Sequence, residues 1–334
     1  MSKTPAETAE ERLIAKYFAP IANHPGALRL SDDAAMLTPP PGCDLVLTKD
    51  AIVGGVHFFP DEPADAIARK ALRVNLSDLA AKGAAPAGFL LALALPENVT
   101  DSWLESFAKG LGGDADLYAC PLLGGDTVKT PGPLMVSITA FGFVPQGGMV
   151  HRHGAKPGER IIVTGTIGDA ALGLRLRSDA DAGRRWNLDD KSREHLLDRY
   201  LLPQPRSALA KLVQAHASAA MDVSDGLAGD LAKLCHTSGV TAQIDVARVP
   251  LSDAARTALA AEPALIETLL GGGDDYEIVC TVPAAQSDAF IAAAQAAGVA
   301  AADIGGATAG EGSPRFIGAD GEPLRLRKTS FSHF

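Results

Sequence analysis

Residues 219–227 read Ala219-Ala220-Met221-Asp222-Val223-Ser224-Asp225-Gly226-Leu227, an apolar run, an acidic turn closed by glycine, and the opening of a helix that ends near Gly239. A strand running through a short turn into a helix is the repeating unit of mixed α/β and α+β domains, because each element must bury one face against the other. Ser224 or Asp225 reads as the N-cap of the helix. A cap uses only one of the three oxygen side chains, and a helix N-terminus also attracts phosphate.

The alternation extends in both directions. Downstream and upstream in the second half, residues 160–164, 241–246 and 276–282 read as strands and 168–176, 227–237 and 283–297 as helices. In the first half, 45–48, 89–95, 121–123 and 134–143 read as strands. Between them, 63–82 repeats Ala68, Ala71, Leu72, Leu76 and Leu79 at helical spacing, and Thr100 caps a helix carrying Trp103, Leu104, Phe107 and Leu111. Near the N-terminus Thr4, Pro5 and Glu7 read as a capping box, with Leu13, Ile14, Tyr17 and Phe18 as the buried face that follows. Residues 179–190 are polar and charged and read as an exposed loop or a fraying helix end. The predicted class is therefore α+β (mixed α/β). At ~100–200 residues per domain, 334 residues predict two domains, and Pro145-Gln-Gly-Gly148 marks the break between 1–148 and 149–334.

Composition narrows the function. Thirty Lys+Arg against 40 Asp+Glu give a formal charge of −10, without the basic footprint of a nucleic-acid binder. The longest apolar run, 89–95, falls far short of the ~20 residues that span a bilayer. The first twenty residues hold several Glu and no continuous apolar stretch, which reads against a secretory signal. Cys43, Cys120, Cys235 and Cys280 are scattered without zinc spacing, as expected of a reduced, cytoplasmic protein.

The acidic surplus is concentrated in turns. Ser31-Asp32-Asp33 places two carboxylates side by side, either as an exposed turn or joined by a cation. Thr48-Lys49-Asp50 ends a strand with hard oxygen ligands, and Gly54-Gly55-Val56-His57 follows, with His57 either structural or a donor to an anion. Asn75 and Asp78 share a helix face beside an apolar stripe, where Asp78 needs Arg73, Lys82 or a metal as partner. Leu123-Gly124-Gly125-Asp126 offers backbone N–H groups to a phosphate and a carboxylate to its Mg²⁺. Gly165-Thr-Ile-Gly168-Asp169 has the form of an anion cradle, and Gly271-Gly-Gly-Asp274-Asp275-Tyr276-Glu277 places further acids before a strand. There is no P-loop, dinucleotide fingerprint, nucleophile elbow or His-Glu-x-x-His helix. The number of acidic turns points to a site that handles phosphate with several Mg²⁺ ions.

Taken in order, these motifs resemble the thiamine-monophosphate kinase family, of the superfamily that includes aminoimidazole ribonucleotide synthetase. The matching segments are Ser31-Asp-Asp-Ala-Ala35, Thr48-Lys-Asp50, Gly55-Val-His-Phe58, Val74-Asn-Leu-Ser-Asp-Leu-Ala-Ala-Lys-Gly83, Gly124-Gly-Asp-Thr127, Arg152-His-Gly-Ala-Lys-Pro-Gly158, Val163-Thr-Gly-Thr-Ile-Gly-Asp169, Met221-Asp-Val-Ser-Asp-Gly-Leu227, Gly272-Gly-Asp-Asp-Tyr-Glu277 and Ser332-His-Phe334. The resemblance implies ATP-dependent phosphorylation of thiamine phosphate to thiamine diphosphate, with ATP as co-substrate. It also implies an aminoimidazole ribonucleotide synthetase-like fold: an N-terminal mixed sheet with helices that binds ATP and Mg²⁺ and forms a homodimer, and a C-terminal α/β domain that completes the phosphate and substrate site.

Carried over by position, Asp33, Thr48, Asp50, Asp78, Asp126, Asp222 and Asp225 are the implied Mg²⁺ ligands, with Asp78, Asp126 and Asp222 at the centre of catalysis. Gly125, Asp126, Arg152 and Ser224 are the implied ATP contacts, and His57 and Asp274 the implied contacts to thiamine phosphate. Lys49 stands where the family carries a hydroxyl residue, Asp274 where it carries a Glu, and Lys328 where an aromatic residue stacks on the substrate, with Phe331 as a substitute. Two alternatives remain at this point: a sibling ATP-dependent synthetase, or a non-catalytic nucleotide- and Mg²⁺-binding regulator. Assembly with nucleic acid or membrane is not expected.

Overall fold

The computed structural model describes residues 8–331. The elements in chain order are α1 (Ala9–Leu13), β1 (Cys43–Val53), α2 (Ala64–Ala81), β2 (Ala85–Leu95), α3 (Asp101–Leu117), β3 (Leu122–Lys129), β4 (Met135–Pro145), β5 (Arg160–Thr164), α4 (Asp169–Ser178), α5 (Ala182–Arg185), α6 (Asp190–Leu201), α7 (Ala210–His216), β6 (Ala219–Val223), α8 (Leu227–Ser238), β7 (Val240–Asp245), α9 (Asp253–Ala261), α10 (Ile266–Gly271), β8 (Glu277–Val282), α11 (Ser287–Ala296), β9 (Ala301–Ala309) and β10 (Arg315–Ile317). The expected Thr4–Glu7 cap and the Ser332–Phe334 match lie outside the described residues. A capping box is formed instead by Thr8 and Glu11 at the start of α1.

Contacts divide the chain into two units, one of residues 1–75 with 86–145 and one of 76–85 with 146–334. Pro145 ends the first unit, but the last residues of α2 count with the second, which a continuous helical pattern gives no sign of. The first unit is built on a mixed sheet of order β1-β4-β2-β3, with β1 and β4 antiparallel and β2 and β3 parallel. Strand alternation gives this sheet two different faces. On β1, Val46 and Ile52 are buried while Leu45 and Leu47 are exposed. Helices α2 and α3 approach closely where Gly110 lies against the backbone of Asp65: a Cβ there would come within 2.5 Å of its carbonyl oxygen. The two helices are also joined by a buried bidentate pair, Arg73 Nε to Asp114 Oδ2 at 2.5 Å and Nη2 to Oδ1 at 3.0 Å.

The second unit carries a sheet of order β10-β7-β9-β5-β8-β6, antiparallel except for the parallel pair β10 and β7. Both of its faces are covered. Ile161, Val163, Met221, Val223 and Val279 pack with Leu227, Leu231 and Leu234 of α8. Ile162, Ala220, Ile278 and Cys280 pack on the other side with Val213 of α7 and Phe290 of α11. That is why these strands read as unbroken apolar runs. Residues 179–190 are not simply an exposed loop. They include α5, and Trp186 is buried with Leu172, Leu196 and Leu269, its indole N–H donating to Glu262 at 2.8 Å. All four cysteines are free. Burial pushes the thiols of Cys120 and Cys280 up to about 12 and that of Cys235 to about 11, which makes them inert packing groups.

Candidate active site

In the first unit, a cleft of about 890 Å³ opens over β3 and the exposed face of β1 and β4. Asp32, Asp33, Lys49, Gly125, Asp126 and Ser137 are among the residues that line it. Asp126 is exposed on β3, an edge strand of its sheet, and pairs with Ala92 of β2. Gly125 is required by packing: a Cβ would meet the Leu91 carbonyl oxygen at 2.0 Å. Asp33 and Asp126 form no hydrogen bond or ion pair among the described residues, so two carboxylates face one cleft without a direct protein partner. Lys49 also lines the cleft, and its ammonium donates to Ser137 Oγ at 2.6 Å.

Strand geometry separates the neighbours of Lys49. Thr48 and Asp50 point to the opposite face of β1 and do not line the cleft. The backbone N–H of Asp50 donates to Asn75 Oδ1 at 3.1 Å, which accounts for the buried asparagine. His57 is partly structural: its Nδ1 accepts from the Val53 N–H at 3.0 Å, and its carbonyl accepts from Lys70 at 3.0 Å.

The second unit gathers a different set. Asp222 lies near the end of β6, opposite Ile278 of β8, and is 6% exposed. The following turn is stitched to the 271–276 loop through backbone, with Asp274 N–H donating to Ser224 O at 2.9 Å and Tyr276 N–H to Val223 O at 2.8 Å. Asp274 and Tyr276 both have positive φ, 72° and 51°, an uncommon conformation held in place by these bonds. Gly273 permits the approach, since a Cβ would lie 2.5 Å from Ser224 O. The backbone thus brings the Ser224–Asp225 turn beside Asp274. Asp225 is also bound by the protein itself, with its carboxylate 2.5 Å from the Lys233 ammonium. Lys233 pairs with buried Asp230 as well, at 2.9 Å. Burial pushes Asp230 up more than Lys233 pulls it down, whereas the two carboxylates raise Lys233 despite its own burial.

Arg152 is exposed on the segment leading into β5. Lys82, at the end of α2, reaches the Ala220 carbonyl at 2.7 Å. Burial lowers its basicity, Asp222 and Asp78 act against that, and Arg152 reinforces it. Asp78 thus shares the second unit with Lys82 and Asp222.

One expected feature is corrected. The Gly165–Asp169 turn cradles the protein's own carboxylates rather than a ligand's phosphate. Gly168 N–H donates to Asp275 Oδ2 at 2.8 Å, and Gly165 lies against the Glu277 carboxylate so closely that a Cβ would come within 2.0 Å of it. Glu277 is fully buried and accepts from Thr164 at 2.8 Å, Arg199 at 2.8 Å and Arg206 Nε at 2.6 Å. Asp169 accepts from His195 at 3.0 Å, Ser252 at 2.5 Å and Thr166 at 2.6 Å. Burial pushes Asp169 up, but these bonds outweigh it and leave its pKa lowered, while Asp169 raises that of His195. Asp275, buried with one oxygen unpartnered, is pushed well above the ordinary range.

Both units match a known class. The N-terminal domain model of AIR synthase related proteins covers residues 31–144, and the C-terminal domain model covers 156–316. The fold is thus that of AIR synthase related proteins. A thiamine-monophosphate kinase of Caulobacter vibrioides is 47% identical over 318 residues, spanning 94% of this chain and 88% of that protein. The crystal structure of a thiamine-monophosphate kinase from Stenotrophomonas maltophilia is similar at 40% identity and a TM-score of 0.79, over 88% of this chain and 91% of that one. A structure of AaThiL complexed with AMPPCP and TMP has 31% identity and a TM-score of 0.75, over 91% of each chain. The chain belongs to the thiamine-monophosphate kinase family.

Proposed function

We propose that this enzyme transfers the γ-phosphoryl group of ATP to the phosphate of thiamine phosphate, giving thiamine diphosphate and ADP. The observation that carries the reading is the pair Asp33 and Asp126, exposed to one cleft without protein partners. The donor chemistry fits Mg²⁺, which binds one or two carboxylates and keeps waters and substrate phosphates as its other ligands. Bound Mg²⁺ would neutralise charge on the transferring phosphoryl group.

Asp33 and Asp126 are the primary ligands in this reading. Thr48, Asp50, Asp78, Asp222 and Asp225 are further oxygen donors, and Lys233 competes for Asp225. An oxygen of the acceptor phosphate forms the new bond to Pγ, and the bond from Pγ to the β,γ-bridging oxygen breaks, its electron pair leaving on ADP. The acceptor phosphate, with a second pKa near 6, is already ionised at neutral pH and needs no strong base. Arg152 offers paired N–H donors to a phosphate, Ser224 a hydroxyl, and Gly125 close backbone approach. His57 and Asp274 orient the thiamine phosphate, and fixing both reactants lowers the barrier more than proton transfer does.

In this reading the first unit binds ATP and Mg²⁺ and forms a homodimer. The second unit completes the phosphate and substrate site. A cytoplasmic location accords with the four free cysteines. Incubation with ATP, Mg²⁺ and thiamine phosphate tests the activity. Stoichiometric ADP and thiamine diphosphate are expected, whereas ATP binding without turnover, or turnover only with another acceptor, refutes it.

A further inference from the structure

Lys82 has no role in the reaction as described above, yet its setting is unusual for a strut. Its backbone is fixed by donation to the Asp78 carbonyl at 3.0 Å and by acceptance from Val150 N–H at 3.1 Å. Its side chain crosses to β6 and donates to the Ala220 carbonyl at 2.7 Å, two residues before Asp222. An ammonium carries three donors. Among the described residues this one has a single acceptor and no ion pair. A partly buried charge is costly to leave unpaired, and a neutral donor would tie the helix end to the strand at lower cost. The charges around it are Asp222, Asp78 and Arg152, all proposed phosphate or metal contacts.

We infer that Lys82 is a further binding residue for the nucleotide, its ammonium donating to a phosphoryl oxygen beside Arg152. Two donors remain for that oxygen, and a compact ammonium suits a phosphate as a point charge. Lys82 then supplies fixed positive charge in a site otherwise dependent on bound cations. The identity of the nucleotide rests on the kinase reading.

The test compares Lys82→Gln, which keeps a donor for Ala220 and removes the charge, with Lys82→Arg, which keeps the charge. AMPPCP binding in the presence of Mg²⁺ is measured by calorimetry, and KM by steady-state kinetics, with thermal unfolding as a control. A charge-assisted hydrogen bond of this kind predicts that Lys82→Gln stays folded and binds AMPPCP about 10–100-fold more weakly. KM for ATP should rise to match while KM for thiamine phosphate stays within about twofold, and Lys82→Arg should recover most of the loss. Unchanged AMPPCP affinity in Lys82→Gln, or a defect confined to thiamine phosphate, overturns the inference. Lys82→Met provides a second neutral variant, and failure of both neutral variants to fold assigns Lys82 to the scaffold and overturns it equally. AMPPCP binding requires no turnover, so wild-type protein that binds it but makes no thiamine diphosphate refutes the kinase reading alone.

Discussion

Asp126 follows two glycines inside β3 and Glu277 follows the 271–273 glycines at the start of β8, and their surroundings differ in almost every other respect. Asp126 is exposed in a cleft and has no protein partner. Glu277 is sealed in the second unit and saturated by Thr164, Arg199 and Arg206. Asp169 resembles Glu277, held by His195, Ser252 and Thr166. A carboxylate beside glycines is thus structural where the chain bonds it directly, and available for ligand chemistry where it does not. Part of the 40 Asp and Glu is therefore paired with basic side chains inside the fold, and part is left for bound cations.

The contrast can be broken first at its structural end. Replacing Glu277 with Ala leaves two arginines facing a buried void, and breaking a buried pair in this way costs about 3–5 kcal/mol. Denaturant unfolding should show that loss, and a change under 1 kcal/mol would place Glu277 among ordinary surface acids. At the other end, Asp33→Asn should slow thiamine diphosphate formation by about 10–100-fold, as expected for one lost charged contact to a bound cation. Its unfolding midpoint should stay close to wild type, because Asp33 has no partner to lose. A variant that loses stability and activity in parallel would make Asp33 structural.

The smallest effect concerns pH. The raised pKa of His195 means that its bond to Asp169 contributes fully below pH 6.5, its ordinary value, and fades as pH rises through the higher folded value. Asp169 works in the opposite sense. Its lowered pKa means that its stabilisation is present above its ordinary 3.8 and is lost as acid protonates the folded form. The difference in stability between wild type and His195→Gln should be largest near pH 5.5 and shrink towards pH 9. Because His195 is partly exposed, solvent screening holds it to about 1 kcal/mol or less. A difference that grows with pH would reverse the assignment.

Legibility from sequence follows the same division. Strands β5, β6 and β8 announce themselves because both faces are buried, and Thr100 caps α3 through its bond to Trp103 N–H. Strand β9, Ala301–Ala309, is hidden by its Ala- and Gly-rich composition and by the register shift opposite Ile161 and Ile162. Trp186 escapes because polar neighbours surround it in sequence while its partners come from α4, α6 and α10. The turns at 224–226 and 271–276 are legible, whereas Gly124–Asp126, which reads as a turn, and Thr48–Asp50, which reads as a strand end, lie inside β3 and β1. Asp275 and Glu277 fill the Gly165–Asp169 cradle from more than a hundred residues away, and Thr48 and Asp50 are turned from the cleft by strand alternation.

The central claim is that the unpartnered acids of the first unit hold the cation that serves the transferring phosphate. Its most direct measurement is the rate of thiamine diphosphate formation by wild type and Asp126→Asn across a Mg²⁺ titration, with unfolding midpoints recorded alongside. The account predicts that Asp126→Asn remains as stable as wild type, loses about 100–1000-fold in rate, and needs more Mg²⁺ to reach half of its remaining activity. Full activity with an unchanged Mg²⁺ dependence would contradict it.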